Sequence, residues 1–119
     1  MSKKEIRKTF RTSVMKRDKY RCVCCGKCGK DRQGGEEYKK FHQDPNPVNL
    51  DAHHITDRNE LPNGGYNILN GISVCDTCHL LAEVYHQTGE PHPGFAPDDL
   101  YEMINSSYEE AIKASERLK

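Results

Sequence analysis

A chain of 119 residues is long enough for one compact domain, and with 34% hydrophobic and 30% charged residues its apolar core must be small. No apolar stretch is long enough to span a membrane, and the N-terminus lacks the apolar run of a secretory signal, which predicts a cytoplasmic location. Residues 1–21 carry nine Lys and Arg against two acidic residues, whereas residues 53–119 carry four against eleven. The basic segment favours a polyanion partner, although it is also compatible with a solvated helix face.

The first half of the chain combines one predicted helix with a cysteine-rich turn and a long polar stretch. Apolar residues recur at helical spacing over residues 4–17, at Ile6, Phe10 and Val14. Residues 22–29 hold four cysteines and two glycines, which is typical of a metal-binding knuckle. Residues 29–49 are polar and contain Gly34-Gly35 and two prolines, so they are predicted to form an extended surface loop.

A hairpin and two helices are predicted for the second half. Residues 50–55 and 70–74 read as strands, joined by a long loop that contains the turn residues 62–65. A helix is predicted over residues 76–87, ended by Gly89 and Pro91, with its buried stripe at Leu80, Leu81, Val84 and Tyr85. A single last helix is predicted from Asp98 or Asp99, with core positions at Leu100, Tyr101, Ile104, Tyr108, Ala111, Ile112 and Leu118.

Two cysteine pairs stand at the two-residue spacing that aims two thiolates at one tetrahedral ion: Cys22 with Cys25, and Cys75 with Cys78. Because Gly26 can complete the first turn, these four are the preferred ligands of a structural Zn²⁺, although Cys25 with Cys28 fits the spacing as well. A site closed by four thiolates has no open position for substrate, so this zinc is expected to hold the fold. A thiol redox role for residues 22–28 is the competing interpretation.

Three further features follow in order: the pair His53-His54, then Asn70, then His79 directly after Cys78. The predicted hairpin and helix would bring them together beside the zinc site. In a regular strand His53 and His54 point to opposite sides, so one can face a metal while the other faces a water molecule. Phosphodiester hydrolysis needs both a base and a cation, and histidine suits the first role because its usual pKa lies near neutrality.

The residues that carry a family resemblance are Arg17-Asp-Lys-Tyr-Arg-Cys-Val-Cys-Cys-Gly26, Asp51-Ala-His-His-Ile55, Asn63-Gly-Gly65 and Asn70-Gly-Ile-Ser-Val-Cys-Asp-Thr-Cys-His79. Together they resemble the HNH endonuclease family over residues 17–86. The resemblance implies an α+β fold of the ββα-metal (His-Me finger) type. It also implies hydrolysis of DNA by one divalent cation, Mg²⁺, Mn²⁺ or a similar ion, leaving 5′-phosphate and 3′-hydroxyl ends.

The same resemblance assigns roles residue by residue. It implies that His54 is the general base, that Asn70 braces the loop and orients this base, and that His53 and His79 ligate the catalytic cation. Residues 1–21 are then a basic N-terminal helix, residues 22–90 the nuclease domain with its zinc knuckles, and residues 91–119 a C-terminal helix packed on it. Thr56-Asp57-Arg58 departs from the proline that many members carry, so the resemblance does not predict the target site.

Helical spacing adds one candidate ligand and excludes another. Glu83 lies four residues after His79 on the same helix face, so it can share an ion with it. His86 also returns to that face, but it lies about 10.5 Å further along the helix axis at roughly 1.5 Å per residue. This distance is too long for His79 and His86 to ligate the same ion. His42 and His92, in polar loops, are expected to be structural or exposed.

Besides the thiol redox protein, two function classes stand at the level of sequence. The first is an endonuclease or nickase acting on duplex DNA. The second is a non-catalytic zinc module whose basic helix binds nucleic acid. Binding alone would not need the histidine and asparagine pattern, so this pattern argues against the second class; its members are His53, His54, Asn70 and His79.

Overall fold

In the computed structural model, residues 2–118 are described and contain four α-helices and a three-stranded sheet, with short 3-10 helices between them. The elements in chain order are α1 (Lys3–Arg17), β1 (Gly29–Asp31), β2 (Val48–His54), β3 (Gly71–Cys75), α2 (Asp76–Thr88), α3 (Pro97–Met103) and α4 (Tyr108–Glu116). The α+β class is confirmed. Among these helices, none is both long and apolar enough to cross a lipid bilayer.

Helix α1 begins at a capping box. The Ser2 hydroxyl accepts from the Glu5 amide and the Glu5 carboxylate accepts from the Ser2 amide, both at 3.2 Å, so two free N–H groups of the first turn gain partners. Phe10, Val14 and Met15 are buried against the sheet. The helix predicted over residues 4–17 is confirmed, and its basic residues sit on a helix that is part of the packed fold.

Strands β2 and β3 form the antiparallel hairpin that the sequence predicts, with Leu50 opposite Cys75 and His54 opposite Gly71. Strand β1 runs parallel to β2 on its other side, with Gly29 opposite Val48. The prediction of a plain loop over residues 29–49 is therefore wrong at its start. Main-chain pairing builds this strand, and polar side chains give no periodic signal of it.

Helix α2 is capped by Cys75 before its first residue and by Gly89 after its last, and the φ of 82° at Gly89 is the left-handed conformation that closes many helices. Its buried residues are Cys78 and Ala82, while Leu80 is 71% exposed. The predicted stripe is wrong at Leu80, because Cys75 and Cys78 face the interior and thereby set which side of the helix is buried.

The C-terminal segment contains two helices where one was predicted. The chain breaks after α3 at Asn105, with a φ of 55°, and α4 restarts where the Ser107 hydroxyl accepts from the Glu110 amide at 3.1 Å. Tyr101 is buried as predicted, but Tyr108 is 42% exposed and the prediction that it is core is wrong. The break turns Tyr108 into the first residue of a new helix.

One connected cluster of buried side chains spans the segments 1–21, 22–90 and 91–119. Members from successive elements are Met15, Leu50, Val74, Leu100 and Ala111. Because the cluster includes the buried thiols of Cys22, Cys75 and Cys78, the cysteine group lies at the edge of the core.

Candidate functional site

The thiols of Cys22, Cys25, Cys75 and Cys78 lie within 4.8 Å of one another, which is close enough to bind a metal such as zinc. The sulfurs of Cys25 and Cys75 are 3.8 Å apart, close to the separation of about 3.8 Å expected for two thiolates at roughly 2.3 Å from one tetrahedral Zn²⁺. The Gly26 amide donates to the Cys22 carbonyl at 2.7 Å and Gly26 has a φ of 81°, so the first pair is presented by the predicted glycine turn.

The remaining two cysteines lie outside this group of four. Hydrogen bonding from Cys24 holds the pKa of the Cys22 thiol down at about 4, which favours the thiolate that binds metals. Cys28 instead has its main chain in the sheet region, opposite Arg21 in an isolated bridge. The structure therefore brings Cys22 and Cys25, rather than Cys25 and Cys28, to the second pair.

A second cluster combines His53 of β2 with His79 and Glu83 of α2, whose ligand atoms also lie within 4.8 Å of one another. Glu83 Oε1 is 3.1 Å from His53 Nδ1 and 3.2 Å from His79 Nε2. Ligands at about 2.1 Å from one ion stand roughly 3.0 to 3.4 Å apart in octahedral or tetrahedral geometry. Burial lowers the pKa of His53 to about 3, so its imidazole is neutral and able to act as a ligand.

The other ring nitrogen of His79 is held by a carboxylate. His79 Nδ1 donates to Asp51 Oδ2 at 3.1 Å, which leaves Nε2 directed at Glu83. The bond from His79, aided by Arg32, lowers the pKa of Asp51 to about 2. Arg32 donates to Asp51 through Nε at 2.9 Å and also contacts Asp76 at the start of α2. Asp51 thus fixes both the tautomer and the orientation of His79.

His54 points to the opposite side of β2 and is enclosed by aromatic rings. Its ring stacks on Phe10 of α1 at 4.5 Å between centroids and meets the edge of Tyr66 at 4.9 Å. Burial lowers its pKa to about 4, with a smaller contribution from Arg58, so it is neutral at neutral pH. Its Nε2 is enclosed and has no hydrogen-bond partner among residues 2–118.

Asn70 is completely buried directly before β3 and ties the loop after His54 in place. Its Oδ1 accepts from the Thr56 amide at 2.9 Å and from the Tyr101 hydroxyl at 2.7 Å. Its Nδ2 donates to the Thr56 carbonyl at 3.1 Å and to the Gly65 carbonyl at 3.3 Å. The Asn70 side chain therefore makes no hydrogen bond to His54, and its hydrogen bonds reach the chain next to His54 at residues 55–56.

His86 lies beyond the His53 cluster and contacts the backbone of His54. Its Nε2 donates to the His54 carbonyl at 3.2 Å, and its ring lies 5.3 Å from that of His53. His42, by contrast, is buried and bonded through Nε2 to the Gly29 carbonyl at 2.8 Å, and His92 is exposed.

Two adjoining hollows of about 300 and 360 Å³ form an open groove across these residues. Both are lined by Ala52, His54, Arg58 and His79. The first hollow extends over His53 and Glu83, and the second extends to Arg7 and Arg11 on α1. His54 therefore lies between the possible metal ligands and a basic wall.

Several residues of this site carry no assigned role at the level of sequence. Asp51 stands two residues before His53, so strand alternation places both on the face toward α2. This spacing is a signal in the sequence from which the position of Asp51 could have been predicted. Arg32 and Tyr66 come from loops distant in sequence, and Phe10 reads as an ordinary core residue of α1. No local pattern could have placed these three around the histidines.

No family model, no curated protein and no solved structure matches this chain.

Proposed function

We propose that this protein is a metal-dependent HNH endonuclease that hydrolyses phosphodiester bonds of DNA, with His54 as the general base. The observation that carries the proposal is the position of His54. It is neutral, held between Phe10 and Tyr66, and opens onto one groove with the His53, His79 and Glu83 cluster. The order β2, β3, α2 is also the strand–strand–helix order that a ββα-metal unit requires.

The donor set fits a catalytic divalent cation, Mg²⁺, Mn²⁺ or a similar ion. Two imidazoles and one carboxylate leave coordination positions for water and substrate, unlike the four-cysteine group. His53 and His79 would hold the cation together with Glu83, as the separations of their ligand atoms allow. Bound there, the ion would neutralise charge on the phosphate and on the leaving oxygen.

The proton transfer falls to His54. Since its Nε2 is enclosed, Nδ1 is the nitrogen left to take a proton from water, with the ring N–H on Nε2. The oxygen of that water forms a bond to phosphorus, the bond to the 3′ oxygen breaks, and the 3′ oxygen is protonated from solvent. A neutral imidazole is needed for this step, and the lowered pKa of His54 supplies it at physiological pH.

The rest of the site holds this ring in place. Phe10 and Tyr66 restrict its rotation, and His86 binds the main-chain carbonyl of His54. Asn70 fixes the next turn of chain through Thr56. Orientation of this kind accounts for a large part of enzymatic rate acceleration, because misplacement of a base by about 1 Å can cost about a hundredfold in rate.

The four-cysteine group would bind a structural Zn²⁺. Its four thiolates would close the coordination sphere, and the free energy of binding would contribute directly to folding. Cys75 and Cys78 flank the start of α2, the helix that carries His79 and Glu83. Zinc would therefore stabilise the position of the catalytic ligands without contacting substrate.

Duplex DNA is the expected partner. Residues 1–21 carry a net charge of +7, and α1 lies along the groove through Arg7 and Arg11. Contacts between basic side chains and phosphates release counterions, which supplies affinity that does not depend on sequence. A cytoplasmic location remains the expectation from the sequence.

A plasmid-nicking assay with Mg²⁺, Mn²⁺ or Ni²⁺ tests the proposal. Wild type should convert supercoiled plasmid into nicked or linear forms, while His54→Ala should cut at trace level only, with folding and DNA binding nearly intact. His92→Ala is the matched control, because His92 is an exposed histidine outside the groove. Equal inertness of wild type and His54→Ala with every ion would instead favour a non-catalytic zinc module that binds nucleic acid.

A further inference from the structure

Two arginines from different parts of the chain converge on one tyrosine hydroxyl beside His54. Arg58 donates from Nη1 to the Tyr66 hydroxyl at 3.2 Å, and Arg7 of α1 lines the same hollow. Burial acts to raise the pKa of Tyr66, but the hydrogen bond from Arg58 and the nearby positive charge of Arg7 outweigh it and leave the pKa below its usual value. The Arg58 guanidinium thus binds the Tyr66 oxygen, and Arg7 lies in the same hollow beside it.

The oxygen itself is fixed in space. The Tyr66 ring meets Phe10 edge-on at 5.7 Å and His54 edge-on at 4.9 Å, so the phenol is held by the same rings that hold the base. Tyr66 therefore has a defined position relative to His54, and Arg7 and Arg58 line the same hollow as both rings.

Neither of these two arginines forms an ion pair with a carboxylate in the described part of the chain. Within residues 2–118, neither Arg7 nor Arg58 has an acidic group within 4.0 Å of its guanidinium, and the Asp57 carboxylate next to Arg58 accepts from the Asn59 amide at 2.9 Å. Three other arginines do pair with a carboxylate, namely Arg11 with Asp31, Arg17 with Asp18 and Arg32 with Asp51. Two like charges held side by side repel each other unless an anion lies between them.

The chemistry of the three groups selects the anion. Guanidinium groups bind phosphate oxygens through paired N–H donors, and the Tyr66 hydroxyl, which accepts from Arg58, can donate a further bond through its own O–H. We propose that Arg7, Arg58 and Tyr66 form one subsite for a single phosphate of the substrate backbone, adjacent to the phosphate that is cut. This inference rests on the proposed function, since it assigns to the same groove the means by which it fixes a strand across His54.

Salt-dependent binding of a short DNA duplex tests the subsite without any cutting, because no divalent ion is added. Arg7→Gln and Arg58→Gln should each weaken binding about tenfold to a hundredfold. Because both arginines act on one phosphate, the double variant should lose much less than the product of the two effects. In the double variant, the magnitude of the slope of log K against log salt should fall by about the amount expected for one phosphate contact, and not for two.

Lys16→Gln is the matched control, since it removes one positive charge from an exposed position of α1 that does not line the groove. It should leave the affinity within about twofold of wild type, as expected for a rim charge. Thermal unfolding of each variant shows whether the fold is retained; Tyr66→Phe, which keeps the ring but removes the oxygen, serves as a second variant.

A small probe locates the site independently of DNA register. Dimethyl phosphate, a phosphodiester without sugar or base, should shift the side-chain Nε resonances of Arg7 and Arg58 together and leave that of the exposed Arg21 unchanged. Fully additive losses, an effect no larger than that of Lys16→Gln, or equal shifts at all three arginines would overturn the subsite. If the protein cuts plasmid but the effects of Arg7→Gln and Arg58→Gln on binding are additive, the subsite alone is refuted. If the two effects are coupled but no plasmid is cut, the nuclease is refuted and the subsite still stands.

Discussion

Replacing Asn70 by alanine should destabilise the protein through two main-chain groups that have no other partner. Of the four groups bound to Asn70, the Tyr101 hydroxyl keeps its bond to the Thr56 hydroxyl at 2.6 Å, and the Gly65 carbonyl keeps the Asn67 amide at 2.9 Å. The Thr56 amide and the Thr56 carbonyl lose their partner in a fully buried position. At about 1 to 3 kcal/mol for each unsatisfied group, the free energy of unfolding should fall by about 2 to 6 kcal/mol.

Urea denaturation of the zinc-loaded protein measures this loss, with Asn67→Ala as the matched control. Asn67 is half-buried, and its Oδ1 caps a 3-10 helix by accepting from the Leu69 amide at 3.0 Å. Its Nδ2 donates to the Ser115 hydroxyl at 2.8 Å, which keeps its own bond to the Ala111 carbonyl, so removal of the Asn67 side chain leaves no buried main-chain group unpaired and should cost about 1 to 2 kcal/mol. A loss for Asn70→Ala no larger than that of the control would refute the count of unsatisfied groups. If the loss occurs but cutting per folded molecule is unchanged, Asn70 stabilises the loop without orienting His54.

Three further outcomes follow from the same contacts. Burial lowers the pKa of His54 from 6.5 to about 4, so the unfolded chain takes up a proton before the folded one as pH falls and wild type loses stability. In urea unfolding, the free energy of unfolding of His54→Phe should therefore rise by about 2 kcal/mol relative to that of wild type between pH 7 and pH 5. A difference independent of pH would contradict this. Cys75→Ser should fail to retain one equivalent of zinc and should lose its helical circular dichroism signal. A folded, zinc-free variant would argue against a structural zinc at the four cysteines. Asp51→Asn should weaken Mn²⁺ binding about tenfold to a hundredfold, measured by calorimetry on protein that circular dichroism shows to be folded, because His79 loses the carboxylate that fixes its ring. Unchanged affinity would exclude that role.

The elements that the sequence predicts well are those in which a short local pattern matches the final packing. Helix α1 has its apolar residues at helical spacing, and the hairpin of β2 and β3 has alternating or buried apolar residues between turn signals. Strand β1 and the break between α3 and α4 lack such patterns. The first depends on main-chain pairing with β2, and the second on Asn105 and Ser107.

The candidate site divides in the same way. His53, His79 and Glu83 could be placed because strand alternation and helical spacing fix their sides, given that β2 packs on α2. The surroundings of His54 could not be placed, because Phe10 and Tyr66 reach it from a helix and a loop that only the folded chain brings together. Arg32 reaches Asp51 from the end of β1, a strand that the sequence did not reveal.

The two clusters of possible metal ligands are mechanically connected through α2. Cys75 and Cys78 anchor the first turn of this helix, and His79 follows Cys78 directly, with Glu83 one turn further on. Successive residues of a helix turn by a fixed angle of about 100°, so an anchor at Cys78 determines the direction of His79 and Glu83 toward β2. Removal of zinc should therefore weaken divalent-ion binding at His53, even though no cysteine reaches that cluster. Under the proposed function, the four-cysteine group would therefore affect cutting by setting the rotation of α2 against the strand that carries His53 and His54.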